Sequence, residues 1–223
     1  IATGLVDFEL PPAEMPARII SYVAHAFNPA AKAAAELTPS VESALKKIFI
    51  LMRAQTGHDF SQYKPSTITR RIERRMAVHQ IETLGEYLKY MQQTPAEVEA
   101  LFSDLLIGVT SFFRDPLAFQ ALEQQVIPQL FVGKPPGAQI RAWSTGCSTG
   151  EEAYSLAILL AEHQEALKQS FKMQVFATDI DGRAIATARI GRYPASIAAD
   201  ITPERLSRYF SLEPDGGTYR IHK

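Results

Sequence analysis

The sequence predicts an all-helical domain followed by an α/β domain, and three features predict it. Between Val41 and Leu130, successive stretches place apolar residues three and four positions apart, the spacing of one helical face. From Ile140 a short apolar run enters a turn carrying Gly146 and Gly150, and a helical pattern follows at Ala153, Tyr154, Leu156, Ala157, Leu160 and Ala161. A second strand, Lys172–Thr178, then ends in Asp179 and Asp181. Strand, small-residue loop, helix and strand make one unit of a parallel sheet, where backbone approaches a nucleotide-like ligand closely.

Taken in order, residues 28–38 are an Asn-Pro followed by an alanine-rich stretch, expected to be a linker or an exposed helix. Thr38-Pro39, Thr94-Pro95, Asp115-Pro116 and Thr202-Pro203 each place an N-cap side chain before a proline at the first helical position. Thr94 to Glu97 also has the spacing of a capping box. The first long helix is expected to bury Val41, Leu45, Ile48, Phe49 and Met52 and to stop at Gly57. Later ones bury Val98, Leu101, Phe102, Leu105 and Leu106, then Phe119, Leu122, Val126 and Leu130. Lys134-Pro135-Pro136-Gly137 is a loop before the first strand. The boundary between helical and α/β parts is expected near Thr110–Pro116. After Asp181 come helices at Arg183–Ala188, closing at Gly191, and at Thr202–Phe210. Asp215-Gly216-Gly217 then turns into a strand at Thr218–Ile221.

At 223 residues the chain is long enough for one large or two small domains. A net charge of −1 argues against a general nucleic-acid binder, which needs a basic surplus. No apolar run approaches the ~18 residues that read as a membrane span, and no signal peptide is visible. One cysteine, Cys147, excludes an internal disulfide and a multi-cysteine zinc site, which fits a reducing, cytoplasmic location. It reads as a small packed residue rather than a reactive thiol.

The loop at 146–152 admits several chemistries. Gly146 and Gly150 lack the third glycine of the dinucleotide fingerprint, so nicotinamide binding is not expected. Gly146-Cys147-Ser148-Thr149-Gly150 matches the Gly-x-Ser-x-Gly elbow of hydrolases. Against it, everything before Ile140 reads helical, His163 lies mid-helix and His222 is the penultimate residue. Glu151 and Glu152 at the start of the helix would repel a phosphate and welcome a cationic or hydroxyl-rich ligand. Asp179 follows at the distance expected of a ribose-binding acid on the second strand.

Three blocks, Thr110-Ser111-Phe112-Phe113-Arg114-Asp115, Trp143-Ser144 with Ser148-Thr149-Gly150-Glu151-Glu152-Ala153-Tyr154-Ser155, and Ala177-Thr178-Asp179-Ile180-Asp181, resemble the signature of CheR-type chemoreceptor glutamate methyltransferases. The resemblance covers about residues 40–223. Residues 1–27 are similar to the tail of a CheB-type receptor methylesterase, so a segment of a fused esterase–transferase is expected. It implies an esterase-like tail and linker at 1–37, a helical domain at 38–112 and a truncated Rossmann-like S-adenosylmethionine-dependent methyltransferase domain at 113–223. Only two strands of its sheet are legible. The open sheet is expected to expose apolar surface and favour self-association.

The resemblance further implies site roles. Glu152 would accept from the cofactor's amino group and Asp179 would bind the ribose hydroxyls. Thr110 and Arg114 would contact the methionine part, with Arg114 paired to its carboxylate or orienting the receptor glutamate, the one catalytic assignment. S-adenosylhomocysteine would be the product. A carboxylate nucleophile is ionised at neutral pH, so alignment rather than a general base would carry the reaction. Where the family often has asparagine, this chain has Gly108.

The segment from Lys64 to Met76 carries Arg70, Arg71, Arg74 and Arg75 against one acid, Glu73. On a helix these arginines span an arc of about 140° opposite Ile68, Ile72 and Met76. In the resembled family the corresponding helix docks on the acidic helical region of chemoreceptors, and a solvated helix face is the plainer alternative. A cofactor-sensing or docking module without turnover is the second functional reading.

Overall fold

The computed structural model describes residues 7–26, 39–106 and 108–222. The chain forms two compact units, 1–107 and 108–223. The linker expected at 28–38 and the cap at Thr38 lie outside the described residues.

The first unit is helical: α1 (Met15–Ala26), α2 (Pro39–Thr56), α3 (Pro65–His79), α4 (Leu84–Gln93) and α5 (Pro95–Leu105). Its core joins Ile48 and Met52 of α2, Ile68 and Ile72 of α3, and Val98 and Leu101 of α5, all fully buried. These are the i, i+3 and i, i+4 pairs of the sequence pattern. Gly57 ends α2 at φ +78°, where its N–H donates to the Arg53 carbonyl at 2.9 Å. Thr202 caps its helix as expected, but two other caps are corrected. Thr94 makes no side-chain cap: the Glu97 N–H donates to the Thr94 carbonyl at 2.9 Å, and the Glu97 carboxylate, which would complete a capping box, turns to Arg75. The capping box forms instead between Thr83 and Glu86 at the start of α4.

In the second unit, Asp115 also fails to cap by its side chain, since its backbone sits at φ +57°. Here α6 (Pro116–Ala121) passes through a π-helical turn (Leu122–Val126) into α7 (Ile127–Phe131). A π turn inserts a residue and rotates the helix beyond it. Val126 therefore faces solvent, and Ile127 and Phe131 take the buried positions.

Strands β1 (Gln139–Thr145) and β2 (Lys172–Thr178) pair in parallel from Gln139↔Lys172 to Thr145↔Thr178, with α8 (Glu151–Leu167) as the crossover. Ile140 and Ser144 face inward, while Trp143 (66% exposed) and Phe176 (45%) stand on the open face. Beyond β2 come α9 (Gly182–Ile190), β3 (Arg192–Pro194), a 3-10 turn (Ala195–Ala199), α10 (Pro203–Tyr209), β4 (Phe210–Leu212) and β5 (Thr218–Ile221). The last three strands form an antiparallel sheet in the order β3-β5-β4. Phe112, Ile158, Tyr193, Phe210 and Ile221 pack one core of this unit, and Ile127, Phe131, Ile140 and Leu159 another.

Candidate functional site

Parallel strands leave their carboxyl ends open to a loop, and β1 and β2 end together. Beyond them the N–H groups of Gly146 and Cys147 donate to the Thr178 carbonyl at 2.8 and 3.0 Å, fastening the loop to the second strand. The loop closes at Gly150, with φ +99°. A Cβ there would stand 2.8 Å from the Ala188 Cβ, so only glycine lets α8 start this close to α9.

Asp179 follows β2 directly. Its Oδ2 accepts the Ser148 N–H at 2.7 Å and its Oδ1 accepts the Asp181 N–H at 2.8 Å. Asp181 caps α9 by accepting from the N–H groups of Arg183 and Ala184. Glu152, exposed on the first turn of α8, accepts the Ser144 hydroxyl at 2.8 Å. Its neighbour Glu151 turns inward and accepts the Thr149 hydroxyl at 2.6 Å. Both Asp179 and Glu152 keep acceptor capacity, because a carboxylate offers about four lone-pair positions.

The Thr110–Asp115 block reaches the same region. A Cβ at Gly108 would lie 3.2 Å from the Ser148 Oγ, so the segment leading to Thr110 runs beside the loop. Thr110 is half-buried. The Phe113 N–H donates to the Ser155 Oγ at 3.0 Å on α8. Arg114 is exposed, and its Nη1 donates to the Val109 carbonyl at 2.6 Å. A hollow of about 480 Å³ lies on the open sheet face, lined by Arg141, Ala142, Trp143, Phe176 and Thr178.

Two alternatives for the loop lose their footing. His163 packs against the Phe131 ring at 5.0 Å, and the His222 Nε2 lies 2.7 Å from the Ser211 Oγ. The two histidines weighed for the elbow reading are thus engaged away from Ser148. Cys147 is buried, and burial followed by the Asp179 charge pushes its thiol upward, against a reactive thiolate.

The basic helix, α3, presents fewer solvent-facing arginines than its spacing predicts. Arg75 is only 6% exposed and does not belong to a solvent-facing docking face. Its Nε and Nη2 grip Glu97 at 2.8 and 2.6 Å, the Tyr87 hydroxyl donates to Glu97 at 2.8 Å, and the His79 Nε2 stands 2.7 Å from it. Burial alone would raise the Glu97 carboxyl, but the bonds and charge of Arg75 hold it below its ordinary value. Arg74 is half-buried between Asp104 and Asp7, with Asp7 at 2.7 Å. Arg70 is exposed and Arg71 half-buried, and the buried Arg71 Nε has no hydrogen-bond partner among the described residues.

Residues 43–106 match the CheR methyltransferase all-alpha domain, and residues 108–223 match the CheR methyltransferase SAM binding domain. The chain belongs to the CheR methyltransferase family. A chemotaxis protein methyltransferase, Cher2, of Pseudomonas putida is 30% identical over 172 residues, covering 75% of this chain and 62% of that protein. Chemotaxis protein methyltransferase 2 of Vibrio cholerae is 31% identical over 164 residues, covering 73% and 56%. An uncharacterized 104.1 kDa protein of Rhodobacter capsulatus is 40% identical over 178 residues, covering 80% of this chain and 18% of its own length. The chain thus spans less than two thirds of each of these relatives.

The CheR assignment makes residues 108–223 an S-adenosylmethionine binding domain, and the donor set fits that group. The cofactor carries hydroxyls and an ammonium, all of which seek acceptors, and Asp179 after β2 and Glu152 on the first turn of α8 offer two carboxylates. Ser144 and Ser155 stand within the second motif block, but the sequence alone assigns no site role to either. The available signal was a serine at an inward position of an otherwise apolar pattern, since buried hydroxyls are held by partners. Among the described residues no helix is long and apolar enough to cross a membrane.

Proposed function

We propose that this CheR chain serves S-adenosylmethionine-dependent methylation of glutamate side chains on chemoreceptors, as part of a protein-glutamate O-methyltransferase. The observation that carries the reading is the meeting of Asp179, Glu152 and the Arg114 turn around one loop at the carboxyl ends of two parallel strands. When bound, the cofactor supplies an electrophilic methyl group on sulfur. Asp179 would accept from the ribose hydroxyls and Glu152 from the amino group. Thr110 and Arg114 would hold the methionine portion, and the forked donors of the exposed Arg114 guanidinium would suit its carboxylate or the substrate glutamate. The substrate glutamate arrives ionised, so these residues orient and exclude water rather than move a proton.

Arg70 and Arg71, with Arg74 where Asp7 releases it, offer the charge that an acidic helical receptor segment requires. The domain organisation proposed is an esterase-like tail and linker, a docking domain and a methyltransferase domain, the last two meeting at 107/108, where the chain divides into its two compact units, rather than at 112/113. A fused methylesterase and a cytoplasmic setting belong to the same reading. Self-association through the open face bearing Trp143 and Phe176 is proposed for the isolated chain, read by sedimentation against Trp143→Ser. Radiolabelled methyl transfer to receptor fragments by the full-length protein tests the activity. Cofactor binding with no transfer would leave the cofactor-sensing reading in its place.

A further inference from the structure

Phe113 and Asp115 adopt left-handed backbone at φ +49° and +57° on either side of Arg114. A bulky residue holds such a conformation only where its surroundings over-determine it. Here they do. The Phe113 N–H is fixed by the Ser155 Oγ at 3.0 Å, and Ser155, fully buried, donates its own hydroxyl to the Glu151 carbonyl at 2.7 Å. The Phe113 ring packs edge-on against Phe119, and the Arg205 guanidinium lies 4.7 Å over it. Arg205 is itself anchored on Glu162 at 2.7 Å and Glu123 at 2.9 Å. Ser155 lies one turn along α8 from Glu152, so one hydroxyl links the two halves of the site.

We propose that Ser155 is a positioning residue: it sets the Arg114 turn against the Glu152 helix and so fixes the spacing at which both meet the methionine end of the cofactor. The inference rests on the cofactor-site reading above. The test is a double-mutant cycle in the full-length protein, with calorimetric affinity for S-adenosylhomocysteine as the readout. Ser155→Ala is expected to weaken binding about tenfold, and less than twofold when Arg114→Ala is already present. Ser155→Thr keeps the oxygen and should retain affinity. Ile158→Val on the same helix should lower Tm without the affinity loss. Equal losses in both backgrounds, or unchanged affinity in Ser155→Ala, overturn the proposal. If Glu152→Ala and Asp179→Ala also leave affinity unchanged, the site reading falls with it.

A separate observation carries a second inference. The arm from Asp7 through α1 lies on α3: Asp7 pairs with Arg74 at 2.7 Å and Arg75 at 2.5 Å, Arg18 donates to the Val78 carbonyl, and the Gln80 amide donates to the Ser21 hydroxyl. On α1, Ile19 and Ile20 remain 60% and 68% exposed, and a hollow of about 450 Å³ stays between arm and helix. Ion pairs and hydrogen bonds, rather than apolar burial, hold the arm. We infer that the arm competes with an acidic helical partner for Arg74, which rests on the docking reading of α3. In the full-length protein, Asp7→Asn should tighten binding of a glutamate-rich helical peptide several-fold at low salt, with the gain shrinking as salt rises. Unchanged affinity in Asp7→Asn, with loss in the Arg70→Glu, Arg71→Glu double variant, overturns the masking alone. Peptide binding indifferent to that double variant removes the docking reading and the masking together.

Discussion

Replacing Glu97 by alanine removes the acceptor on which Arg75, Tyr87 and His79 converge. Asp7 would remain on one face of Arg75, but the buried edge of the guanidinium would lose both bonds. Breaking a buried pair by deleting one partner costs about 3–5 kcal/mol, because the surviving charge is stranded. The buried Tyr87 hydroxyl also loses its partner, which alone costs about 1–3 kcal/mol. For a unit of this size each kcal/mol moves Tm by about 4–8 °C, so a fall on the order of 20 °C is expected. Urea and thermal unfolding followed by circular dichroism measure it. Arg75→Met together with Glu97→Met should recover most of the loss, since an apolar pair leaves no charge uncompensated. A loss in Glu97→Ala below about 1 kcal/mol, or a double variant no more stable than the single one, would refute the reasoning.

Acid should expose the same network. The Glu97 carboxyl is held below its ordinary 4.5, so its contribution is present above that value and is lost as pH falls through the lowered native value. Unfolding of Glu97→Gln should therefore depend less on pH in that window than the wild-type protein's. Gly150→Ala combines φ +99° with a Cβ 2.8 Å from Ala188, and should weaken both Tm and S-adenosylhomocysteine affinity. Native Cys147 should react with a thiol reagent only slowly and should label rapidly in urea, which a timed colorimetric assay will show.

The two strands and the crossover helix were legible because their patterns differ in period and are broken by glycine. Lys172–Thr178 is a strand with the expected bounds. Val126 failed for a physical reason: a π turn changes the period mid-helix, and nothing in the residues Leu122–Val126 announces it. Thr94 and Arg75 failed together. A Thr-Pro-x-Glu spacing is local, whereas the Glu97 carboxylate answers to Arg75, 22 positions earlier in the chain. Charge spacing on α3 located the arginines but not their partners, and Asp7 lies farther away still. In the site, the three motif blocks could be read one by one. The serines that join them, Ser144 and Ser155, are defined only by what folds against them.

Calorimetric titration of the full-length protein with S-adenosylhomocysteine, repeated for Asp179→Ala and Glu152→Ala, tests the central claim most directly. Each substitution is expected to weaken binding by at least tenfold, since each removes a charged acceptor worth about 1.5–3 kcal/mol. Wild-type affinity in both variants would contradict a cofactor site at the ends of β1 and β2.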